Sequence, residues 1–407
     1  MSAPTPYSPQ AVFSPEEEKG ANVPRVLIAP QRYVQGDGVL DHLGRYLSIV
    51  PSGRAAIVID KAGQQRDGAR LLDSLNSAQV KSEVVTFQGE CSSEEIDRIV
   101  ASLQALATPV DCVVAVGGGK CLDAGKCAAH RLALPMVSVP TLASTDSPCS
   151  ALSVMYTGEG VFSGVEFFPR SPALVVIDTG IVAEAPVRFL VAGIGDAMAT
   201  WYEARTCLDN PQARSVLGAR PALATGALGK LCADTLFEHG LAAVEAVQRS
   251  QVNDALENIV EANTLLSGLG FESGGLAVAH SIAQGLTVIP EVHHNYMHGE
   301  MVAIGLINQL VLEQNLDEAR KVAELFAQVG LPVHLGQISL SSSNQAQLGA
   351  VMETAMALLS LPFVANEPFE VTTESLLNTA AQAHELGLEV AQSAGDVPYR
   401  ALHGRES

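Results

Sequence analysis

Basic residues are scarce in this chain. Lysine and arginine number 24 against 44 aspartates and glutamates, a formal charge of -20 over 407 residues. That balance weighs against nucleic acids and anionic membrane surfaces, which favour basic patches. No uninterrupted apolar run reaches the roughly 18 residues of a membrane-spanning helix, so neither nucleic acid nor membrane is expected as a partner. Charged residues of both signs make up only 17% of the chain and hydrophobic ones 47%, a composition for a compact, well-buried oligomer rather than a disordered protein. Cysteine is limited to Cys91, Cys112, Cys121, Cys127, Cys149, Cys207 and Cys232, an odd set without a CxxC pair. With no secretory apolar segment, the expectation is free thiols serving as small core residues in the cytoplasm. Glu16, Glu17 and Glu18 stand together, which argues against a transit peptide as well.

What is present divides the chain in two. Residues 1–22, rich in Pro, Ser, Ala and Glu, read as a flexible extension. From 23 to 185, short β-branched runs alternate with amphipathic segments. The strand signals are Val26–Ala29, Ala55–Ile59, Ser82–Thr86, Cys112–Val116, Met136–Val139 and Leu174–Ile177, and Glu94–Leu106 carries helical spacing. This alternation implies βαβ units and an α/β domain with a mostly parallel sheet. From 186 to 407 strand signals nearly vanish. Ala- and Leu-rich stretches at Gly193–Cys207, Ala255–Leu269, Gly275–Gly285, Val302–Glu313 and Glu318–Val329 predict an all-helical domain, and ligands often sit between two such domains.

Three segments can carry chemistry. The strand Val113–Val116 runs into Gly117, Gly118, Gly119 and Lys120, with Asp123 close behind. Glycines let backbone N–H groups approach a pyrophosphate and the next helix N-terminus favours it, although a tight turn would use the same residues. The spacing fits neither a Walker A loop nor G-x-G-x-x-G. A second loop, Thr141 to Ser150, follows another strand signal and offers Thr141, Ser144 and Thr145 hydroxyls and the Asp146 carboxylate. Such residues also cap ordinary turns. Third, Asp196 opens an apolar helical stretch, where it can be a simple N-cap. His280 lies on another apolar stretch and His298 follows, with His293 and His294 as competing surface-loop histidines. An acid and two imidazoles with a vacant position are the ligand set of catalytic zinc, but histidines on apolar helices are more often satisfied core residues.

Taken together, GGGKCLDAGK, PTLASTDSPCSALSVMY, APVRFLVAGIGDAMATWYEAR, EANTLLSGLGFESGGLAVAH and HGEMVAIG resemble the glycerol dehydrogenase branch of the iron-containing (group III) alcohol dehydrogenase superfamily. The likeness runs from about Val26 to about Gln392. It implies an NAD-binding α/β domain, a helical domain of dehydroquinate synthase-like architecture and a metal in the cleft between them. By the same resemblance Asp196, His280 and His298 are the metal ligands. Gly117, Gly118, Gly119 and Asp123 match the cofactor loop with Lys120 beside them, and Thr141 and Thr145 match positions touching the cofactor, where Ser144 offers a further hydroxyl. Asp146 receives the polyol, and Asp60 corresponds loosely to the carboxylate on the adenosine ribose. The iron-using relatives carry a fourth ligand, a histidine one turn after the aspartate; here Thr200 stands there, which favours Zn²⁺ while leaving other divalent ions open. A second histidine of the branch, three residues after His280, is replaced by Ala283. The implied activity is NAD-linked oxidation of glycerol or a close vicinal diol to dihydroxyacetone or its analogue, in a homo-oligomer, an octamer by resemblance. A sugar or polyol-phosphate dehydrogenase, or a dehydroquinate synthase-like lyase, would share the architecture but calls for a basic cluster that this chain does not show beside Asp146.

Overall fold

The computed structural model describes residues 7–15, 23–357 and 363–404; Glu16, Glu17 and Glu18 lie outside them. In the first half the strands are β1 (Tyr33–Gly36), β2 (Arg54–Asp60), β3 (Lys81–Phe87), β4 (Cys112–Gly117), β5 (Met136–Pro140), β6 (Leu152–Tyr156), β7 (Phe162–Phe167) and β8 (Leu174–Asp178). The helices are α1 (Pro9–Phe13), α2 (Leu43–Tyr46), α3 (Lys61–Ser77), α4 (Ser93–Gln104), α5 (Gly119–Arg131) and α6 (Thr179–Glu184). Six strands form one sheet in the order β1-β8-β5-β4-β2-β3, and every pairing in it is parallel. Strands β4, β5 and β8 are buried along their whole length, which is why they read as continuous apolar runs rather than alternating ones. One face packs under α4 and α5 through Ala56, Val58, Val113 and Leu122; the other packs under α3 through Ile57, Ile59, Val114 and Leu71. The strand order reverses between β2 and β4, and the crevice at such a switch point is where open α/β sheets bind ligands.

The second half is helical: α7 (Val187–Asp209), α8 (Leu223–Gln248), α9 (Asp254–Glu261), α10 (Ser267–Gly274), α11 (Val278–Leu286), α12 (Pro290–Asn295), α13 (His298–Leu312), α14 (Leu316–Val329), α15 (Gln345–Ala357), α16 (Thr373–Ala394) and α17 (Val397–His403). A π-helical turn, Ala262–Leu266, joins α9 to α10. One core runs through this bundle, and through Ala143, Val175 and Ile177 it continues back to the sheet. No helix among the described residues is long and apolar enough to cross a membrane. All seven cysteines are buried and free.

Two strand expectations change. Val26–Ala29 is not a strand: Arg25 makes only an isolated bridge with Arg220, and the Ile28 amide donates to Ser273 Oγ at 3.0 Å. Its apolar residues Val26 and Ile28 pack instead against the cluster of Val216, Leu217 and Phe271. The edge position beside β8 is taken by the more polar Tyr33–Gly36. The antiparallel hairpin of β6 and β7 is an addition to the strands expected from the sequence. Within the first 22 residues, Pro9–Phe13 forms a helical turn capped by Ser8, and Gln10 Nε2 donates to the Val216 carbonyl at 2.9 Å.

Small residues let the helices that carry the site approach one another. A Cβ on Gly299 would lie 1.8 Å from the Ala192 carbonyl oxygen, and one on Gly305 would lie 2.2 Å from that of Ala279. These two contacts seat α13 directly on the backbones of α7 and α11. Gly305→Ala should therefore lower stability by about 1–3 kcal/mol, the usual cost of overpacking. Equilibrium denaturation with urea checks it, and an unchanged midpoint would refute the close-approach argument.

Candidate active site

The first end of the site forms where β2 and β4 stop. Asp60 closes β2 and caps α3, accepting from the Gly63 amide at 2.8 Å. Its Oδ2 lies 3.8 Å from where a Cβ on Gly117 would be. Gly118 is the N-cap of α5 and supplies no side-chain cap, so the first amides of that helix are left for an external acceptor. The loop after β5 closes over this turn. Thr141 donates its amide to the Gly117 carbonyl at 3.1 Å, Leu142 lies against Gly118, and Thr145 Oγ1 is 3.4 Å from the Cβ position of Gly119. Ser144 sits between them, partly exposed. The structure thus brings Asp60, the three glycines and the Thr141–Thr145 loop to one crevice.

Two residues expected on the cofactor are engaged elsewhere. The Lys120 amine pairs with Glu90 at 2.6 Å and lies over the Tyr156 ring. Asp123 is buried, with Oδ1 accepting from Lys126 Nζ (3.0 Å) and Ser147 Oγ (2.7 Å) and Oδ2 from the Val154 amide (3.0 Å). Its carboxylate ties α5 to the loop and the hairpin rather than facing a ligand. Lys126, equally buried, completes the knot through Ser147 O, Ser150 Oγ and Leu152 O.

The second end is built by helices. Asp196 is not an N-cap: it lies in the middle of α7, 1% exposed. His280 comes from the first turn of α11, and His298 is the first residue of α13, opening to the cleft. One ligand atom from each of the three falls within 4.8 Å of the others. Nε2 of both histidines lies 3.5 Å from Asp196 Oδ1. Neither Asp196 oxygen has a hydrogen-bond partner although both are buried. An orphaned buried carboxylate facing two imidazole nitrogens fits a divalent cation. His293 and His294 stand apart on α12, bonded to the Gly160 and Pro290 carbonyls.

Asp146 bridges the two ends. Its Oδ2 accepts from Ser267 Oγ at 3.1 Å, and Ser267 shares a 2.8 Å hydrogen bond with Thr200 Oγ1. The residue at the fourth-ligand position therefore anchors Asp146 instead. Burial, with the Asp196 carboxylate adding to it, holds the Asp146 carboxyl well above the usual range. Burial also opposes ionised Asp196, but His298 and then His280 outweigh it and its pKa falls below the ordinary value. For His280, burial is outweighed by the Glu203 and Asp196 carboxylates, and its pKa rises well above that of a free imidazole.

Glu203, Ser267, Asn263 and Lys126 were not singled out from the sequence. Glu203 had a signal, since it lies seven residues after Asp196 on the same helix face. Asn263 and Ser267 had none. The π turn aims Asn263 Nδ2 at the Ala143 carbonyl (2.9 Å), pinning the loop that holds Asp146.

Comparison with known proteins agrees with this geometry. The model of a family described as iron-containing alcohol dehydrogenase matches residues 30–179. A glycerol dehydrogenase of Escherichia coli O6:H1 is 45% identical over 336 residues, 82% of this chain and 90% of that protein. A glycolaldehyde reductase of Halobacterium salinarum is 40% identical over 366 residues, 90% of this chain and 98% of that one. The crystal structure of glycerol dehydrogenase from Schizosaccharomyces pombe matches with a TM-score of 0.85 at 33% identity, covering 91% of this chain and 93% of the other. Likeness of that order over nearly the full length of each relative settles the kinship: the chain belongs to the iron-containing alcohol dehydrogenase family, in the branch of the glycerol dehydrogenases.

Proposed function

We propose that the protein oxidises glycerol, or a close vicinal diol, with NAD as hydride acceptor and zinc as its divalent ion. The observation that carries this reading is the meeting of Asp196, His280 and His298 around a buried carboxylate that has no other partner. When bound, the ion supplies Lewis acidity to an alcohol oxygen and the nicotinamide supplies the hydride acceptor. Asp196 and the two Nε2 atoms would hold the ion, and Thr200, at the fourth-ligand position, is hydrogen-bonded to Ser267 instead. The glycine turn and the uncapped start of α5 would bind the pyrophosphate, and the Asp60 carboxylate would accept from the adenosine ribose.

Asp146 orients the substrate. Ser267 occupies one of its oxygens, and the other is left to accept from a second hydroxyl on the carbon next to the reacting one. A substrate without that hydroxyl leaves a buried polar group unpaired, which discriminates strongly against simple alcohols. Ala283 is fully buried in the helical core, so substrate preference falls to Asp146 and its support rather than to that position. The similarity to a glycolaldehyde reductase fits a site made for small molecules bearing adjacent oxygens.

Three measurements test this. NADH formation should be brisk with glycerol and 1,2-propanediol, weak with ethanol and absent with glycerol phosphate, and should be lost on chelation and restored by Zn²⁺. Equal rates with ethanol would overturn the role of Asp146. His280→Ala should release the ion and lower kcat/KM about a thousandfold or more, the several kcal/mol of charge stabilisation at roughly 1.4 kcal/mol per tenfold. Retained metal and near-normal turnover would remove the metal assignment. Ser267→Ala should raise the KM for glycerol about fivefold, one hydrogen bond of roughly 1 kcal/mol, with a smaller change in kcat; an unaltered KM would detach Ser267 from substrate positioning.

A further inference from the structure

Asp196, Thr200 and Glu203 follow one another at helical spacing along α7, so a single face of that helix looks into the site. Glu203, like Thr200, has no exposed surface. A carboxylate that far from water is tolerated when its oxygens are hydrogen-bonded, and here Ala277 and His280, at the start of α11, bond to it. Oε1 accepts from the Ala277 amide at 2.7 Å and the His280 amide at 3.1 Å; Oε2 lies 2.5 Å from His280 Nδ1. Helix α11 needs this outside help, because its N-cap is Ala277, which has no side chain to cap with. Gln309 from α13 supplies an acceptor for the Ala279 amide, at 2.8 Å.

The contact to the ring does more than cap. A carboxylate only accepts, so the proton between Glu203 and the imidazole belongs to Nδ1. The other nitrogen, Nε2, then carries a lone pair, and it is Nε2 that faces Asp196 Oδ1 at 3.5 Å. The same carboxylate therefore fixes the ring's backbone, its rotation and its tautomer at once. Carboxylate–histidine pairs of this kind orient metal ligands from behind.

We propose that Glu203 is the positioning residue that holds His280 with Nδ1 protonated and Nε2 free to bind the ion. The inference rests on the metal reading given above.

Glu203→Gln separates this role from capping. The glutamine carbonyl can still accept from the Ala277 and His280 amides, but it presents an NH₂ donor to Nδ1. The ring must then accept at Nδ1 and carry its proton on Nε2, which blocks that nitrogen as a ligand. The variant should bind Zn²⁺ or Co²⁺ about 10–100-fold more weakly by chelator competition, the usual effect of losing such a partner. The thermal midpoint of the ion-free protein should stay close to wild type, and the visible spectrum of the Co²⁺ form should change. In Zn²⁺-loaded wild type labelled with ¹⁵N-histidine, with the ring assigned through its own backbone, His280 should carry its proton on Nδ1 and leave Nε2 to the ion. Unchanged affinity in Glu203→Gln, while His280→Ala loses the ion, would overturn the role of Glu203 alone. A wild type that takes up no ion would overturn both this role and the metal reading. Should Glu203→Gln not fold, the labelled wild type decides by itself: an Nε2–H tautomer there refutes the proposal.

Discussion

A carboxylate buried to 1% exposure with neither oxygen hydrogen-bonded is a costly thing to build into a helix bundle. The penalty for an unpaired ion in such surroundings is on the order of several kcal/mol. Asp196 occupies that position, and much of the surrounding architecture relates to it. Gly299 lets the first residue of α13 come down beside α7, and Gly305 lets α11 lie against α13. Both imidazoles thereby arrive on the same side of Asp196, where they lower its pKa against the pull of burial. The centre is one acid and two nitrogens, closed behind by packed backbone and open in front.

An apolar core joins the two halves of the chain, and polar contacts fix the loop that lies between them. Lys126 and Asp123 knit the helix after the glycine turn to the Ser147–Leu152 segment, tying the loop over the crevice to the hairpin beyond it. Asn263 fastens the same loop from the helical side. Asp146 lies between these anchors and takes its own support from Ser267 and, behind it, Thr200. A position that could have supplied another ligand instead steadies the residue proposed to select the substrate.

A good part of this was legible in the residues. The runs at β2, β4, β5 and β8 are apolar on both faces because the sheet is covered on both, and that pattern survives in any window of the chain. The helical stretches after residue 186 were marked by their Ala- and Leu-rich composition, and α7, α13 and α14 lie where it put them. Val26–Ala29 misled because a β-branched run packs onto an apolar patch as readily as it pairs in a sheet. Tyr33–Gly36 was missed because an edge strand needs little apolar content. For Asp123 and Lys120 the motif was recognisable but the direction of each side chain was not, since that depends on Lys126, Ser147 and Glu90 from other segments.

The linear order of residues was enough to say that a parallel α/β half precedes a helical half, that a glycine turn ends a strand, and that one acid and two histidines are available. These follow from periodicity and from residue types, which are local properties. Whether Asp196 caps a helix or sits inside one, whether His280 and His298 face it, and which nitrogen of His280 is left free were decided only by the packing of α7, α11 and α13. Each of those outcomes depends on contacts between residues about 20 to 100 positions apart, and no local preference encodes a distance between side chains that far separated along the chain.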